Sequence, residues 1–294
     1  MGISTVGIVG AGTMGKGIAT ACAGAGFDVL VVDRSAAIAV YAVEKISKEL
    51  DRDIAKWRHT TSEKKVILGR LRAVDGLGSL EAADLVIEAL PDDLALKVQT
   101  FAELDRVCSP DTILATNSST LSVTEIAAHT KRPDRVIGLH FLNPGPRVPL
   151  VEIARGLETS DLTVTAAREF VHQLGKTGVE LFESPGYVTT RVIVPFLNEA
   201  MYVLMEGVAT ADAVDTALKL GYGLPVGPLA LADRLGLDEL LRWMQHLFQE
   251  LGDLKYRPCP LLRQKIRAGH VGVKSGRGFF EYDENGQVKT AEAA

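Results

Sequence analysis

Residues 6–15 read VGIVGAGTMG, in which a short apolar run is followed at once by glycines at positions 10, 12 and 15. The run over residues 6–9 is short and β-branched, which predicts a buried strand that ends at Gly10. Residues 15–24 can form a helix that packs closely on this strand. Strand, glycine turn and helix together predict the first unit of a parallel sheet covered by helices.

The G-x-G-x-x-G spacing of this turn has a mechanical reason at each glycine. Gly10 permits a tight turn, Gly12 lets the backbone approach a pyrophosphate, and Gly15 lets the helix sit close to the strand. The helix N-terminus then offers free N–H groups and a positive dipole end to phosphate oxygens. We therefore expect a dinucleotide to bind here, with Thr13 and Met14 between the glycines as part of its site.

Asp33 ends the second predicted strand and lies 21 residues after Gly12. A carboxylate about 20 residues after such a turn accepts the hydroxyls of the adenosine ribose. Because it would repel a 2′-phosphate, Asp33 favours NAD over NADP, although the neighbouring Arg34 would offset part of that repulsion. The alternative interpretation is that Asp33 only ends a strand.

Short apolar runs recur along the first half of the chain and alternate with longer stretches of helical pattern. Continuous apolar runs predict strands that are buried on both faces, as in a parallel sheet between two layers of helices. The runs lie at residues 6–9, 29–32, 85–87, 113–115 and 136–139. We therefore predict an α/β fold whose N-terminal part is a Rossmann-type doubly wound sheet.

The pattern becomes helical from Pro185 onward. Residues 192–208 and 238–249 have apolar side chains at helical spacing, and Thr210 is placed as the N-cap of a helix between them. One short strand is expected at residues 278–282. The C-terminal part is therefore predicted to be all-helical apart from that strand.

We place a domain boundary near residue 184 on this change of pattern. Residues 1–184 are then an NAD-binding domain, and residues 185–294 a helical domain for dimerisation and substrate binding. The helical domain has more apolar residues than one copy can bury. We therefore predict a homodimer in which one face of this domain is buried against the second copy.

The composition of the 294-residue chain excludes several classes of protein. Its net charge of −5 argues against nucleic-acid binding, which usually shows a basic excess. No apolar run approaches the roughly 18 residues that cross a bilayer, and the first residues carry no signal-peptide pattern, so we expect a cytoplasmic protein without membrane contact. Cys22, Cys108 and Cys259 are widely spaced, which predicts neither a disulfide framework nor a metal site.

Polar residues that suit proton transfer follow two of the predicted strands. The segment TNSS occupies residues 116–119 after one strand, and HFLNP occupies residues 140–144 at the end of the next. Doubly wound sheets bind their ligands at the carboxyl ends of the strands. Both segments are therefore candidates for the active site.

His140 is the candidate general base, because an imidazole can take and return a proton near neutral pH. Glu152 follows twelve residues later and could hold the imidazole in one tautomer. Ser119 and Asn143 could hydrogen-bond a substrate oxygen. A histidine taken alone is more often structural, but its place at a strand end beside Asn-Pro favours the catalytic interpretation.

Several motifs beyond the glycine turn keep the order and spacing of one family. The chain resembles the L-3-hydroxyacyl-CoA dehydrogenases from about residue 5 to residue 282. The motifs that carry this resemblance are GAGTMGKGIA, TNSSTL, HFLNP, GPLALADRLGLD and KSGRGFFEY. Such a resemblance over nearly the whole chain is far more specific than the glycine turn alone.

The resemblance implies an NAD-dependent dehydrogenase with a Rossmann domain followed by a helical domain that dimerises. His140 matches the catalytic histidine of the family, and Glu152 matches the carboxylate paired with it. Ser119 matches the serine that contacts the substrate near the reacting centre, and Asn143 matches the asparagine of the family's HFFNP motif. Further cofactor contacts are assigned to Glu88, Lys97 and Asn117.

The sequence also departs from the family pattern near the site. Thr190 stands where an asparagine is usual, and we assign it to the substrate. Leu142 replaces a usual phenylalanine, residues 91–93 read PDD where V-E-N is usual, and Arg147 occupies a commonly apolar position. These changes leave the His–Glu pair intact and bear on which acyl substrate is used.

Residues 45–72 carry nine basic and four acidic side chains, a local charge of +5 in an acidic chain. A CoA thioester brings a pyrophosphate and a ribose phosphate, which such a basic arm could attract. The candidate contacts are Lys45, Lys48, Arg52 and Lys56. A solvated pair of helices with internal ion pairs is the alternative, and an acidic carrier protein would be attracted equally well.

The leading interpretation is an NAD-dependent oxidoreductase that oxidises a short-chain L-3-hydroxyacyl-CoA, such as 3-hydroxybutyryl-CoA, in fatty acid metabolism. One alternative is the same chemistry on a 3-hydroxyacyl-carrier-protein or a free hydroxy acid. A second alternative is a non-catalytic NAD-binding or structural protein of the same fold.

Overall fold

The computed structural model describes residues 2–142 and 148–289. The chain divides into two compact units, Met1–Tyr187 and Val188–Ala294. Among the described residues, no helix is both long enough and apolar enough to span a membrane.

The first unit is built on one mixed sheet, with eight strands in the described part of the chain. The strands are β1 (Thr5–Val9), β2 (Asp28–Val32), β3 (Leu71–Ala73), β4 (Leu85–Glu88), β5 (Ile113–Thr116), β6 (Val136–Phe141), β7 (Leu150–Arg155) and β8 (Thr177–Phe182). Their order across the sheet is β3-β2-β1-β4-β5-β6-β7-β8. The five strands expected from apolar runs all form, as β1, β2, β4, β5 and β6. Together with β3 they occupy the first six positions of the sheet in the order β3-β2-β1-β4-β5-β6, which confirms the Rossmann-type prediction there.

The sheet is not parallel throughout, and this corrects the sequence-based expectation. Strand β7 runs antiparallel to β6 and parallel to β8. Strands β3, β7 and β8 lie outside the predicted runs. β8 is exposed along most of its length, so it lacks the continuous apolar pattern that marks a buried strand.

Helices cover both faces of this sheet, as the apolar strands predict. They are α1 (Thr13–Gly24), α2 (Ala36–Ala55), α3 (Thr61–Arg70), α4 (Leu94–Val107), α5 (Val123–Ala127) and α6 (Asp161–Gln173). Neighbouring residues of one strand belong to different apolar clusters: Leu85 and Ile87 pack on one face of β4, and Val86 packs on the other. Burial on both faces is the reason that residues 85–87 of β4 form a continuous apolar run.

The second unit is helical. Its helices are α7 (Thr189–Met205), α8 (Ala211–Tyr222), α9 (Pro228–Leu235), α10 (Leu237–Leu251) and α11 (Pro260–Arg267). Thr210 caps α8 as predicted, because its side chain accepts a hydrogen bond from the backbone N–H of Ala213.

The strand expected at residues 278–282 does not form a ladder, and only isolated bridges occur there. The cause is the buried Asp233 carboxylate, which accepts hydrogen bonds from the backbone N–H groups of Phe279 and Phe280 and from the Tyr282 hydroxyl. These amides are therefore taken by a side chain instead of a neighbouring strand.

Candidate active site and dinucleotide turn

The glycine turn has the geometry that its spacing predicts. Gly10 has a φ of +101°, and a Cβ atom there would lie 2.9 Å from the Ala89 carbonyl oxygen. A Cβ atom on Gly15 would overlap the Gly10 carbonyl oxygen, so the helix approaches the strand as closely as only glycine permits. Gly12, in contrast, faces open space to a distance of 4 Å. This open cradle in front of the N-terminus of α1 fits the pyrophosphate of a dinucleotide.

Asp33 is held beside this turn by backbone amides. Its Oδ2 atom accepts a hydrogen bond of 2.7 Å from the N–H of Ala11, and its Oδ1 atom accepts one of 2.7 Å from the N–H of Arg34. The Arg34 side chain is 88% exposed, with its Nε 3.8 Å from the Asp33 carboxylate. The carboxylate is therefore oriented at the carboxyl end of β2, where a ribose would lie.

Strand pairing brings His140 and Glu152 into contact. The two residues face each other in the antiparallel register of β6 and β7, and Nδ1 of His140 lies 2.7 Å from Oε2 of Glu152. On the other side of the ring, Nε2 lies 3.0 Å from Oγ of Ser119. All three side chains are buried.

The two ring nitrogens of His140 have different roles in this arrangement. An ionised carboxylate only accepts hydrogen bonds, so the proton of the neutral imidazole is assigned to Nδ1, which faces Glu152. Nε2 then carries the lone pair and accepts from the Ser119 hydroxyl. The arrangement can take a proton at Nε2 while Glu152 stabilises the positive charge that results.

Asn117 has a structural partner at the same edge of the sheet. Its side-chain oxygen accepts a hydrogen bond of 2.8 Å from the N–H of Phe141, and its own N–H donates to the Glu88 carbonyl oxygen at 2.8 Å. Asn117 therefore ties the ends of β4, β5 and β6 together. Asn143 and Arg147 lie outside the described residues.

Glu88 and Lys97 form an ion pair that is fully buried. Nζ of Lys97 lies 2.6 Å and 2.8 Å from the two carboxylate oxygens of Glu88. The same carboxylate accepts hydrogen bonds from the Thr116 hydroxyl and the N–H of Leu90. Both side chains are therefore buried beneath the carboxyl edge of the sheet, where they are paired with each other.

Asp92 joins this pair to the active site, and sequence reasoning treated it only as a departure from the family pattern. Its carboxylate lies 3.4 Å from Nζ of Lys97 and accepts a hydrogen bond of 3.3 Å from the N–H of Ser119. Its position in the loop after β4, at the carboxyl edge of the sheet, was the signal that could have identified it.

Tyr187 is a second residue that sequence reasoning missed. Its ring centroid lies 5.7 Å from that of His140 at an interplanar angle of 49°. The hydroxyl is buried without a hydrogen-bond partner among the described residues, and burial raises the pKa of Tyr187 above its usual range. The ring therefore shields the imidazole from water.

The other predicted substrate contacts, Thr190 and the basic residues of the arm, are distant in sequence from His140. Thr190 is buried in the first turn of α7, in the second unit. The basic residues of the arm lie on α2 and at its C-terminal end, and Nζ of Lys45 lies 5.0 Å from the centroid of the Tyr41 ring. In the described ranges, no group of three or more His, Cys, Asp or Glu side chains could hold a metal ion.

Residues 5–184 match the family described as "3-hydroxyacyl-CoA dehydrogenase, NAD binding domain", and residues 186–282 match "3-hydroxyacyl-CoA dehydrogenase, C-terminal domain". The chain is 48% identical over 284 residues to a probable 3-hydroxybutyryl-CoA dehydrogenase of Bacillus subtilis, covering 97% of this chain and 99% of that protein.

Solved structures show the same similarity. M. tuberculosis FadB2 is 41% identical with a TM-score of 0.94, over 96% of this chain and 100% of that chain. (S)-3-hydroxybutyryl-CoA dehydrogenase PaaH1 from Ralstonia eutropha is 45% identical with a TM-score of 0.89, also over 96% of this chain and 100% of that chain.

The buried ion pair generates a prediction about stability. Lys97→Met leaves the Glu88 carboxylate buried without its cation, so the free energy of unfolding should fall by about 3–5 kcal/mol. Adding Glu88→Gln removes the unpaired charge and should recover part of that loss. Urea denaturation measures both, with the exposed Lys131→Met as a control that should change stability by less than about 0.5 kcal/mol. A Lys97→Met protein as stable as this control would contradict the prediction.

Proposed function

Because the chain belongs to the 3-hydroxyacyl-CoA dehydrogenase family, we propose that it oxidises a short-chain L-3-hydroxyacyl-CoA, such as 3-hydroxybutyryl-CoA, to the 3-ketoacyl-CoA and catalyses the reverse reduction. The observation that carries this proposal is the buried Glu152–His140–Ser119 chain at the carboxyl edge of the sheet. The choice of a four-carbon substrate is supported by the names of relatives such as the B. subtilis protein.

His140 acts as the base in the oxidative direction. Its Nε2 atom takes the proton of the substrate hydroxyl. NAD, when bound, would supply the acceptor for the hydride from the same carbon. Glu152 stabilises the imidazolium that forms and keeps the ring oriented. In reduction the imidazolium polarises the keto oxygen and returns the proton, while the Ser119 hydroxyl, 3.0 Å from Nε2, hydrogen-bonds the same oxygen.

NAD would be held by two features at the same edge of the sheet. The cradle at Gly12 and the N-terminus of α1 suit the pyrophosphate, and Asp33 suits the adenosine ribose. Asn117, at the same edge, would be a further contact for the cofactor. Lys97 and Glu88 contribute from behind this edge, because their buried pair positions Asp92 and the loop that carries Ser119.

The two ends of the acyl-CoA are assigned to different residues of the chain. We assign the reacting end to Ser119, Asn143 and Thr190, with threonine supplying one hydroxyl where the family usually has an amide. We assign the nucleotide end to the basic arm: Lys48, Arg52 and Lys56 make no ion pair in the part of the chain that the structure describes. In this assignment residues 1–184 bind NAD, and residues 185–294 form a helical domain for substrate binding and dimerisation.

A homodimer is the expected assembly, through α7 and α8. Val192 and Phe196 lie one turn apart on α7 and are 66% and 37% exposed, and Leu220 and Tyr222 at the end of α8 are 81% and 79% exposed. Large exposed apolar side chains of this kind favour a protein interface. All three cysteines are free and buried, which supports a reducing, cytoplasmic location. We place the enzyme in fatty acid metabolism because its proposed substrate is an acyl-CoA.

The catalytic assignment is tested at His140. His140→Gln should lower kcat for acetoacetyl-CoA reduction by about 10²- to 10⁴-fold, because general acid–base catalysis contributes that much. The Kd of NADH should stay unchanged, since the groups that hold it lie elsewhere. Glu152→Gln should also lower kcat, because the amide does not stabilise an imidazolium.

An NADH-linked assay with acetoacetyl-CoA, free acetoacetate and acetoacetyl-carrier-protein in parallel measures these rates and identifies the carrier. His129→Gln, at an exposed histidine of the same unit, is the matched control and should keep the wild-type kcat. Near-wild-type turnover by His140→Gln on every substrate would refute the assignment.

The basic arm should act on substrate affinity and not on chemistry. Changing Lys45, Lys48, Arg52 and Lys56 together to alanine should raise KM for the CoA thioester and flatten its dependence on salt, with kcat unchanged. If KM of this variant is unchanged at low ionic strength, the arm does not bind CoA, and the alternative of a solvated pair of helices is correct. The control for net charge is a variant in which four cations of the second unit are changed to alanine, namely Lys219, Arg263, Arg267 and Lys289.

The oligomeric state is measured by light scattering at micromolar concentration. The wild type should have the mass of a dimer, and the double change Leu220→Asp and Tyr222→Asp should shift it to a monomer, because two charges would be buried in the interface. Leu157→Asp, at a leucine that is 82% exposed in the first unit, should stay dimeric. A monomeric wild type would overturn the assembly.

A further inference from the structure

The connection between α2 and α3 contains a tryptophan in an unusual setting. Trp57 is 97% exposed and has a φ of +57°, in the left-handed region. The N–H of Trp57 donates to the Ile54 carbonyl oxygen, and the N–H of Arg58 donates to that of Asp53. These two bonds form the Schellman motif that ends a helix, with Trp57 at the position after the cap.

Glycine is the usual residue at that position, because a side chain in the left-handed conformation crowds its own backbone. A tryptophan there costs free energy, and an indole that is 97% exposed recovers almost none of it by packing. The two backbone hydrogen bonds hold the residue in place, so the indole projects from a rigid support. A strained, rigid and exposed aromatic side chain is better explained by a ligand than by the fold.

The charges next to Trp57 indicate which ligand. Lys45, Lys48, Arg52 and Lys56 follow one another at spacings of three, four and four residues, which places them on one face of α2 and its C-terminal end. We call this face the basic stripe, and it ends beside Trp57.

Three of the four carboxylates of α2 are paired with cations outside the basic stripe: Glu49 with Lys16, Asp51 with Lys64 and Asp53 with Arg58, at 3.0, 2.6 and 3.3 Å. The fourth, Glu44, makes no ion pair in the described part of the chain. The pair of Glu49 with Lys16 also ties α2 to α1, the helix that begins at the dinucleotide turn. The stripe is therefore available to phosphates on an element joined to the NAD-binding edge.

We propose that Trp57 stacks on the adenine of the CoA carrier, while Lys56 and Arg52 bind its phosphates. An aromatic face suits a purine, and cations at the adjoining helix end suit the pyrophosphate and the 3′-phosphate that flank its ribose. This assignment rests on the proposed function, since it takes the CoA thioester as the substrate. It makes Trp57 a binding residue for the carrier, distant in sequence from the reacting groups.

The test uses the full-length protein and free CoA, so that it does not depend on turnover. Trp57→Gly removes the indole and relieves the backbone strain, so the variant should be at least as stable as the wild type. Its Kd for CoA by titration calorimetry should rise roughly fivefold or more, the lower end of the range for one stacked base. Trp57→Phe keeps an aromatic ring and should lie between the two.

Fluorescence separates contact with the base from other effects. The chain has a second tryptophan, Trp243, so the titration is done in a Trp243→Phe background and repeated with the wild type. CoA and dephospho-CoA should both quench the indole, and pantetheine, which lacks the base, should not. For acetoacetyl-CoA, Trp57→Gly should raise KM while leaving kcat unchanged.

An unchanged Kd for CoA in Trp57→Gly, with no quenching in the wild type, would overturn the assignment. A blue shift of the indole with phosphatidylglycerol vesicles, but no response to CoA, would overturn it in favour of an anionic membrane surface. If CoA binds and quenches as expected but the wild type does not reduce acetoacetyl-CoA, the proposed function fails and the nucleotide site stands.

Discussion

The carboxyl edge of the sheet depends on one buried ion pair, that of Glu88 with Lys97. Neither charge reaches water, so each is stable only because the other is present and the same two carboxylate oxygens of Glu88 also accept from Thr116 and Leu90. Lys97 in turn approaches Asp92, which accepts from the N–H of Ser119. A continuous polar network thus runs from the end of β4 to the residue that contacts His140.

The second support of the site is the antiparallel strand β7. A parallel strand at that position would need a long crossover connection, whereas the antiparallel strand returns directly and places Glu152 opposite His140. The imidazole is held from both sides, by Glu152 and by Ser119, and is covered by the Tyr187 ring. Such preorganisation matters because a base must already be oriented when the proton moves.

The substrate-binding features differ from the catalytic ones in how much order they require. Proton transfer needs atoms placed to within a fraction of an ångström, and those groups lie on strands and in buried networks. Attraction of a polyanionic carrier needs only a surplus of charge, and the basic stripe on α2 is proposed for that role. Trp57 combines the two, since its backbone is fixed by hydrogen bonds while its side chain is exposed.

The sequence by itself determined the features that local rules govern. The glycines at 10, 12 and 15, the carboxylate of Asp33 and the apolar strands follow from close packing, phosphate geometry and burial, so their pattern is readable residue by residue. His140, Ser119 and Glu152 could also be identified from the sequence as candidate site residues. Each follows or lies in a strand near the carboxyl edge of the sheet, where ligands bind. Thr210 was readable as a cap for the same local reason.

Only the tertiary structure decided which of these groups meet. The contact of Asp92 with Ser119 spans 27 residues, the contact of His140 with Glu152 across β6 and β7 spans 12, and the pairing of Lys97 with Glu88 spans nine. None of these contacts is encoded by a helix or strand period. The loss of the expected strand at residues 278–282 has the same origin, because the Asp233 carboxylate that takes its amides lies more than forty residues earlier. Local sequence sets what a segment can form, and long-range hydrogen bonds between buried groups select what it does form.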